Sequence, residues 1–84
     1  MDISEKVKKL VEKPINELGY ILREVEYVKE DGVYFLRVII DSNKIISIED
    51  CVSVTKLIDP MLDDIDYISD SYILDVCSYE KGDE

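Results

Sequence analysis

Eighty-four residues make one domain, and a chain this short buries only roughly 60 to 65 percent of the surface its unfolded form exposes, so a deep pocket walled on every side is excluded. Hydrophobic residues at 46% supply one layer of helices on one sheet. The net charge of −10 is uneven: residues 1–58 hold 11 acids and 9 bases, whereas residues 59–84 hold 9 acids against Lys81, a net −8, which repels phosphates at that end and attracts basic partners.

In chain order, Ile3, Val7, Leu10, Val11, Pro14, Ile15 and Leu18 recur at spacings of three and four, the stripe of an amphipathic helix. Asp2 or Ser4 caps its start, and Gly19 ends it by taking the left-handed conformation. Pro14 removes one backbone hydrogen bond and bends the helix. Lys6, Lys8, Lys9 and Lys13 fall on the outward side among Glu5, Glu12 and Glu17, a mixed-charge solvated face rather than an RNA patch.

Residues 20–28 then read as a strand, with Val25 and Tyr27 facing inward. Lys29-Glu30-Asp31-Gly32 is a turn, and residues 33–41 form a second strand with Tyr34, Leu36, Val38 and Ile40 on one face, which makes a hairpin. Val33, Phe35, Arg37, Ile39 and Asp41 lie on the opposite face, more apolar than an open solvent face usually is.

Ser47 with Asp50 three residues on is a capping-box start. It opens a second helix over residues 48–62, with Cys51, Val52, Thr55, Ile58 and Leu62 as its buried stripe and Pro60 kinking or ending its last turn. Asp59, Asp63, Asp64 and Asp66 crowd that end, against the helix macrodipole, so stability does not account for them. Residues 72–78 form a third strand, Tyr72, Leu74 and Val76 on one side and Ile73, Asp75 and Cys77 on the other. The expected architecture is an α+β fold of order α-β-β-α-β, two helices on one face of a three-stranded sheet whose third strand runs parallel to the second. Residues 79–84 read as a frayed charged tail.

Residue types restrict the chemistry. With no histidine in the chain, acid–base work near neutral pH would need a shifted carboxylate, lysine or cysteine, and no such arrangement is visible. Cys51 and Cys77 lack C-x-x-C spacing and read as buried thiols, with no zinc site and no catalytic nucleophile. Asp63, Asp64 and Asp66 lack the calcium-loop pattern, and no glycine-rich phosphate loop occurs. No catalytic, cofactor or metal residues are expected. No run approaches the roughly 18 apolar residues of a membrane span, and the N-terminus is not signal-like, so the expected location is cytoplasmic.

Five strings in order, Glu17-Leu18-Gly19-Tyr20, Val25-Glu26-Tyr27, Leu36-Arg37-Val38-Ile39-Ile40-Asp41, Ile48-Glu49-Asp50-Cys51 and Tyr72-Ile73-Leu74-Asp75-Val76, resemble the N-terminal domain of the ribosome maturation factor RimP. The resemblance covers about residues 1–78 and implies the same α-β-β-α-β order. It further implies a non-enzymatic cytoplasmic factor that binds the free small ribosomal subunit and assists its late assembly, including incorporation of a basic ribosomal protein. By position, Gly19 looks like the family's helix-terminating glycine, Arg37 and Asp41 like its second-strand pair, and Asp50-Cys51 like the opening of its second helix. Three departures stand out. Ile45 occupies a turn where the family usually has glycine, Asp66-Tyr67-Ile68 replaces a link that commonly carries proline, and Ser78 is followed by Tyr79 to Glu84 instead of Ser-Pro-Gly and an SH3-like barrel. A single domain without that barrel is therefore expected.

Two surfaces follow as candidates. One is acidic, comprising Asp59, Asp63, Asp64, Asp66, Asp70 and Asp75, for the small subunit or a basic ribosomal protein, with direct nucleic-acid contact disfavoured there. The other is the open sheet face around Phe35, Arg37 and Ile39, for a weak homodimer or an interaction unconnected with ribosomes.

Overall fold

The computed structural model describes residues 2–65 and 68–79. Helix α1 spans Ile3–Glu17 and begins with a full capping box: the Asp2 carboxylate accepts from the Glu5 N–H at 2.9 Å, and the Glu5 side chain returns to the Asp2 backbone. The helix continues through Pro14. It ends at Leu18, where Gly19 takes φ +108° and the N–H groups of Gly19 and Tyr20 donate to the carbonyls of Asn16 and Ile15. Those two bonds satisfy last-turn carbonyls as a Schellman cap, which explains why glycine stands there.

Strand β1, Ile21–Glu30, pairs antiparallel with β2, Val33–Asp41. The turn is shorter than the sequence suggests. Only Asp31 (φ 52°) and Gly32 (φ +80°) separate the strands, a two-residue loop with both φ positive that matches the twist of a hairpin, so Lys29 and Glu30 stay in the ladder. A bulge between Leu22 and Glu24 adds one residue to β1. Leu22 and Val25 are consequently both buried although three positions apart, and Tyr27 is half-buried; strict alternation misses Leu22.

Helix α2, Ile48–Asp63, carries the expected capping box of Ser47 and Asp50, and runs past Pro60 for three more residues. Its buried stripe is Val54, Ile58 and Leu62, with Cys51, Thr55 and Leu57 half-buried. Val52, placed inward by sequence spacing, is exposed. Strand β3, Tyr72–Ser78, then pairs parallel with β2, giving sheet order β1-β2-β3.

Both helices cover one sheet face. Val7, Val11 and Ile15 of α1 and Val54, Ile58 and Leu62 of α2 close over Leu36, Val38 and Ile40 of β2. Helix α1 packs on β1, α2 on β3, and the helices touch each other. Gathering eleven buried apolar side chains into one cluster is the main stabilising term, each fully buried residue contributing about 1.5–3 kcal/mol before entropy is counted. The other sheet face has no layer over it among the described residues.

One end of that open face is occupied. Asp41 is 8% exposed, pairs with Arg23 at 3.5 Å and accepts from the Ser42 N–H at 2.7 Å. The Arg23 guanidinium lies 4.4 Å from the ring centre of Tyr79, whose N–H donates to the Ile40 carbonyl at 2.7 Å. Tyr79 therefore extends the β3 pairing and is held, whereas residues 80–84 of the expected frayed tail lie outside the described residues.

Candidate interaction surfaces

The end of α2 and the start of β3 build the first surface. Asp59 and Asp63 lie one helical turn apart on α2, both exposed, and with Asp70, Ser71, Tyr72 and Leu74 they line a shallow groove. Among the described residues no basic side chain lies within ion-pair distance of Asp59, Asp63 or Asp70. Their negative potential is felt next door: burial, then the charges of Asp63 and Asp59, push the Tyr72 hydroxyl up from its usual pKa. Asp64 is the C-cap of α2, its N–H bonded to the carbonyls of Leu62 and Met61, and its residue is exposed. Asp66 lies outside the described residues.

Asp75 does not join this group. It sits opposite Arg37 in the β2–β3 register and its carboxylate lies 3.5 Å from the Arg37 Nε, on the open face. The alternation of β3 dictates this, since Tyr72 and Leu74 point to the helices and residue 75 must point away.

Tyr72, in the groove wall, leads across the sheet to two further tyrosines. Tyr27 and Tyr34 stack with ring centres 5.0 Å apart and planes 5° from parallel, and Tyr34 is opposite Tyr72 in the sheet. The Tyr27 hydroxyl oxygen is buried and has no hydrogen-bond partner among the described residues. Burial foremost, and Asp70 after it, raises its pKa. Sequence spacing marks Tyr27 as inward but gives no sign that its hydroxyl lacks a partner.

On the open face Phe35, Arg37 and Ile39 are half-buried neighbours along β2. Arg37 is engaged from three sides. Its Nη1 and Nη2 donate to the two Glu30 carboxylate oxygens at 3.1 and 2.9 Å, Asp75 approaches Nε, and the guanidinium lies 5.1 Å from the Phe35 ring centre. The hydrogen bond to Glu30 leads the causes that raise the Arg37 pKa, and the same bond lowers that of Glu30. A guanidinium held this way is a poor phosphate ligand, because its fork is already filled by a carboxylate. Around it Val33 and Ile73 are exposed.

A polar network that spacing does not reveal joins the α1–β1 link to α2. The Tyr20 hydroxyl donates to the Asp50 carboxylate, which also accepts from the Ser47 N–H at 2.7 Å and the Ser47 hydroxyl at 3.0 Å. The Tyr20 bond, followed by those from Ser47, holds the Asp50 carboxyl below the usual carboxylate range. Asp50 is thereby a structural anchor. Helix α1 presents Glu5, Lys8, Lys9 and Glu12 around a shallow depression, so its lysines are interleaved with acids.

Cys51 and Cys77 are free and half-buried, and burial, ahead of neighbouring carboxylates, raises both thiol pKa values. That setting opposes thiolate formation. Among the described residues no group of His, Cys, Asp and Glu is arranged to hold a metal ion, and no helix is long and apolar enough to cross a membrane. Ile45, in the turn where resemblance leads one to expect glycine, is 94% exposed, and its φ is not positive: among the described non-glycine residues only Asp31 has that conformation.

The RimP N-terminal domain family matches residues 10–79, a span that begins inside α1 and closes on Tyr79, covering both strands of the hairpin, α2 and β3. The chain belongs to the RimP N-terminal domain family, a family of ribosome maturation factor domains.

Proposed function

We propose that this domain acts, without catalysis and in the cytoplasm, in small ribosomal subunit maturation, presenting the acidic surface of Asp59, Asp63 and Asp70 to the subunit or to a basic ribosomal protein. One observation carries the reading: these carboxylates converge on one groove with no basic partner among the described residues, in the part of the chain with the greatest excess of acids. A fixed negative field of this kind accelerates encounter with a cationic partner and is weakened by salt. Family membership supplies the ribosomal setting.

Co-sedimentation with free small subunits over a salt series tests this. The wild-type chain is expected to pellet with the subunits at low ionic strength and to dissociate as salt rises, and the exposed-site triple variant Asp59→Asn, Asp63→Asn, Asp70→Asn to pellet less at every salt. Equal pelleting of both chains would remove the acidic surface from the proposal.

A second reading, dimerisation or docking unconnected with ribosomes through Phe35, Arg37 and Ile39, is favoured by the exposed Val33 and Ile73 beside them. Light scattering discriminates: a concentration-dependent dimer abolished by Phe35→Asp supports this reading.

A further inference from the structure

The two edges of the sheet differ. Strand β1 carries the devices that keep an edge from pairing with another chain, a bulge at Leu22/Glu24 and the charges Arg23, Glu24, Glu26, Lys29 and Glu30. Strand β3 has neither bulge nor proline, its register with β2 is continuous over seven residues, and Asp75 is its one charge. None of its residues is fully buried, and Ile73 is 51% exposed.

The direction of its backbone groups follows from one bond. The Tyr79 N–H donates to the Ile40 carbonyl. With a period of two, the amides and carbonyls of Ile73, Asp75 and Cys77 also face β2, and those of Tyr72, Leu74, Val76 and Ser78 face outward. Among the described residues no hydrogen bond reaches those outward groups. Carboxylates stand on both sides of this row. Asp59, Asp63 and Asp70 line the groove shared with Tyr72 and Leu74 on the helix side, and Asp75 lies on the open side.

We infer that β3 is a strand-addition site whose occupant is an extended basic segment of a partner protein. The segment adds a fourth strand through main-chain hydrogen bonds to Tyr72, Leu74, Val76 and Ser78, and seats a lysine or arginine in the groove between Asp59, Asp63 and Tyr72. Backbone pairing gives such docking its affinity and the pockets for alternate side chains give it selectivity. Charge decides the occupant. A second copy paired antiparallel about Asp75 would bring two carboxylates together across the new pair, whereas lysine or arginine at alternate positions, all on the helix side, meets Asp59, Asp63 and Asp70, which have no basic partner among the described residues. The inference rests on the acidic-docking reading above and adds the mode of docking to it.

The probe is a short peptide alternating lysine and valine, compared at low ionic strength with two analogues N-methylated at alternate amides, one in each register. A strand added to β3 points one set of its amides at the edge and the other at solvent. Binding is therefore expected to survive methylation in one register and to fall at least roughly tenfold in the other, because the methylated set loses its main-chain bonds. Hydrogen exchange at the Leu74 and Val76 amides is expected to slow by about tenfold or more with the parent peptide. The double variant Asp59→Asn, Asp63→Asn, both positions exposed, is expected to weaken binding by roughly tenfold.

Equal binding of both methylated analogues, or unchanged exchange at Leu74 and Val76, overturns strand addition and leaves the co-sedimentation result to decide the acidic-docking reading separately. Protection of those amides that rises with protein concentration in the absence of peptide would assign the edge to a second copy and overturn the basic occupant.

Discussion

Replacing Tyr27 by phenylalanine should stabilise the domain, the reverse of what most substitutions in a packed region do. The Tyr27 hydroxyl is buried with no partner among the described residues. A buried polar group without a hydrogen bond costs about 1–3 kcal/mol. Tyr27→Phe removes that cost and gives up the few dispersion contacts of one oxygen, worth about 0.1–0.2 kcal/mol each. The ring itself, stacked on Tyr34, is kept, so the net expectation is a gain of about 1 kcal/mol. For a domain of this size that raises the melting temperature by about 4–8 °C, and with a urea slope of about 1 kcal/mol/M it moves the unfolding midpoint by about 1 M.

The alkaline limb gives an independent reading. Burial raises the Tyr27 pKa above its ordinary 10.0, so the folded state keeps this proton where the unfolded state releases it. Stability is then fully present below pH 10 and falls as pH climbs toward the folded-state value. The variant should lose less stability over that range than the wild type. Tyr72→Phe is the control. Its hydroxyl is not among the buried unpartnered atoms, and its effect at neutral pH should stay within about 0.5 kcal/mol. A Tyr27→Phe protein less stable than wild type by more than about 0.5 kcal/mol, a sign that the hydroxyl makes a net favourable bond, would refute the reasoning.

Ser47→Ala removes the N-cap acceptor of α2 and should cost about 1 kcal/mol in chemical denaturation. Asp50 has a lowered pKa in the folded state, so its contribution is present above the ordinary carboxylate value of 3.8 and is lost as pH falls toward the folded-state value; Tyr20→Phe, which removes the leading cause, should flatten that part of the acid limb in a pH series of melting temperatures. Ile58→Ala empties a fully buried position between α2 and the sheet and should cost about 2–4 kcal/mol, measured by urea unfolding. Both thiols, raised by burial, should alkylate more slowly at mildly alkaline pH than a free thiol model and reach that rate on addition of denaturant.

How far a group's partner lies along the chain decides whether the sequence alone reveals the pair. Asp2 with Glu5 and Ser47 with Asp50 bond within one turn, and spacing shows both. The α2 stripe is ambiguous in sequence. Val52, Val54, Leu57, Ile58, Met61 and Leu62 offer two overlapping apolar faces, and spacing chose the one containing Val52. The helix settles instead on Val54, Ile58 and Leu62, because its orientation is fixed by packing against β3 and α1 rather than by its own sequence. Asp75 shows the same limit: nearness in sequence groups it with the other aspartates, but strand alternation delivers it to Arg37 on the opposite face.

By itself the sequence determined the element order, both capping boxes, the glycine that ends α1 and the apolar face of β2, since each rests on local geometry or on a short repeat of side-chain direction. Only the tertiary structure decided that β3 stands at the sheet edge, that the Tyr27 hydroxyl is buried with no partner among the described residues, that Tyr20 reaches Asp50, and that Asp59, Asp63 and Asp70 share a groove from which Asp75 is excluded. Each of these depends on which distant segments the collapse of a common core brings side by side, a property of the whole chain that no local stretch contains.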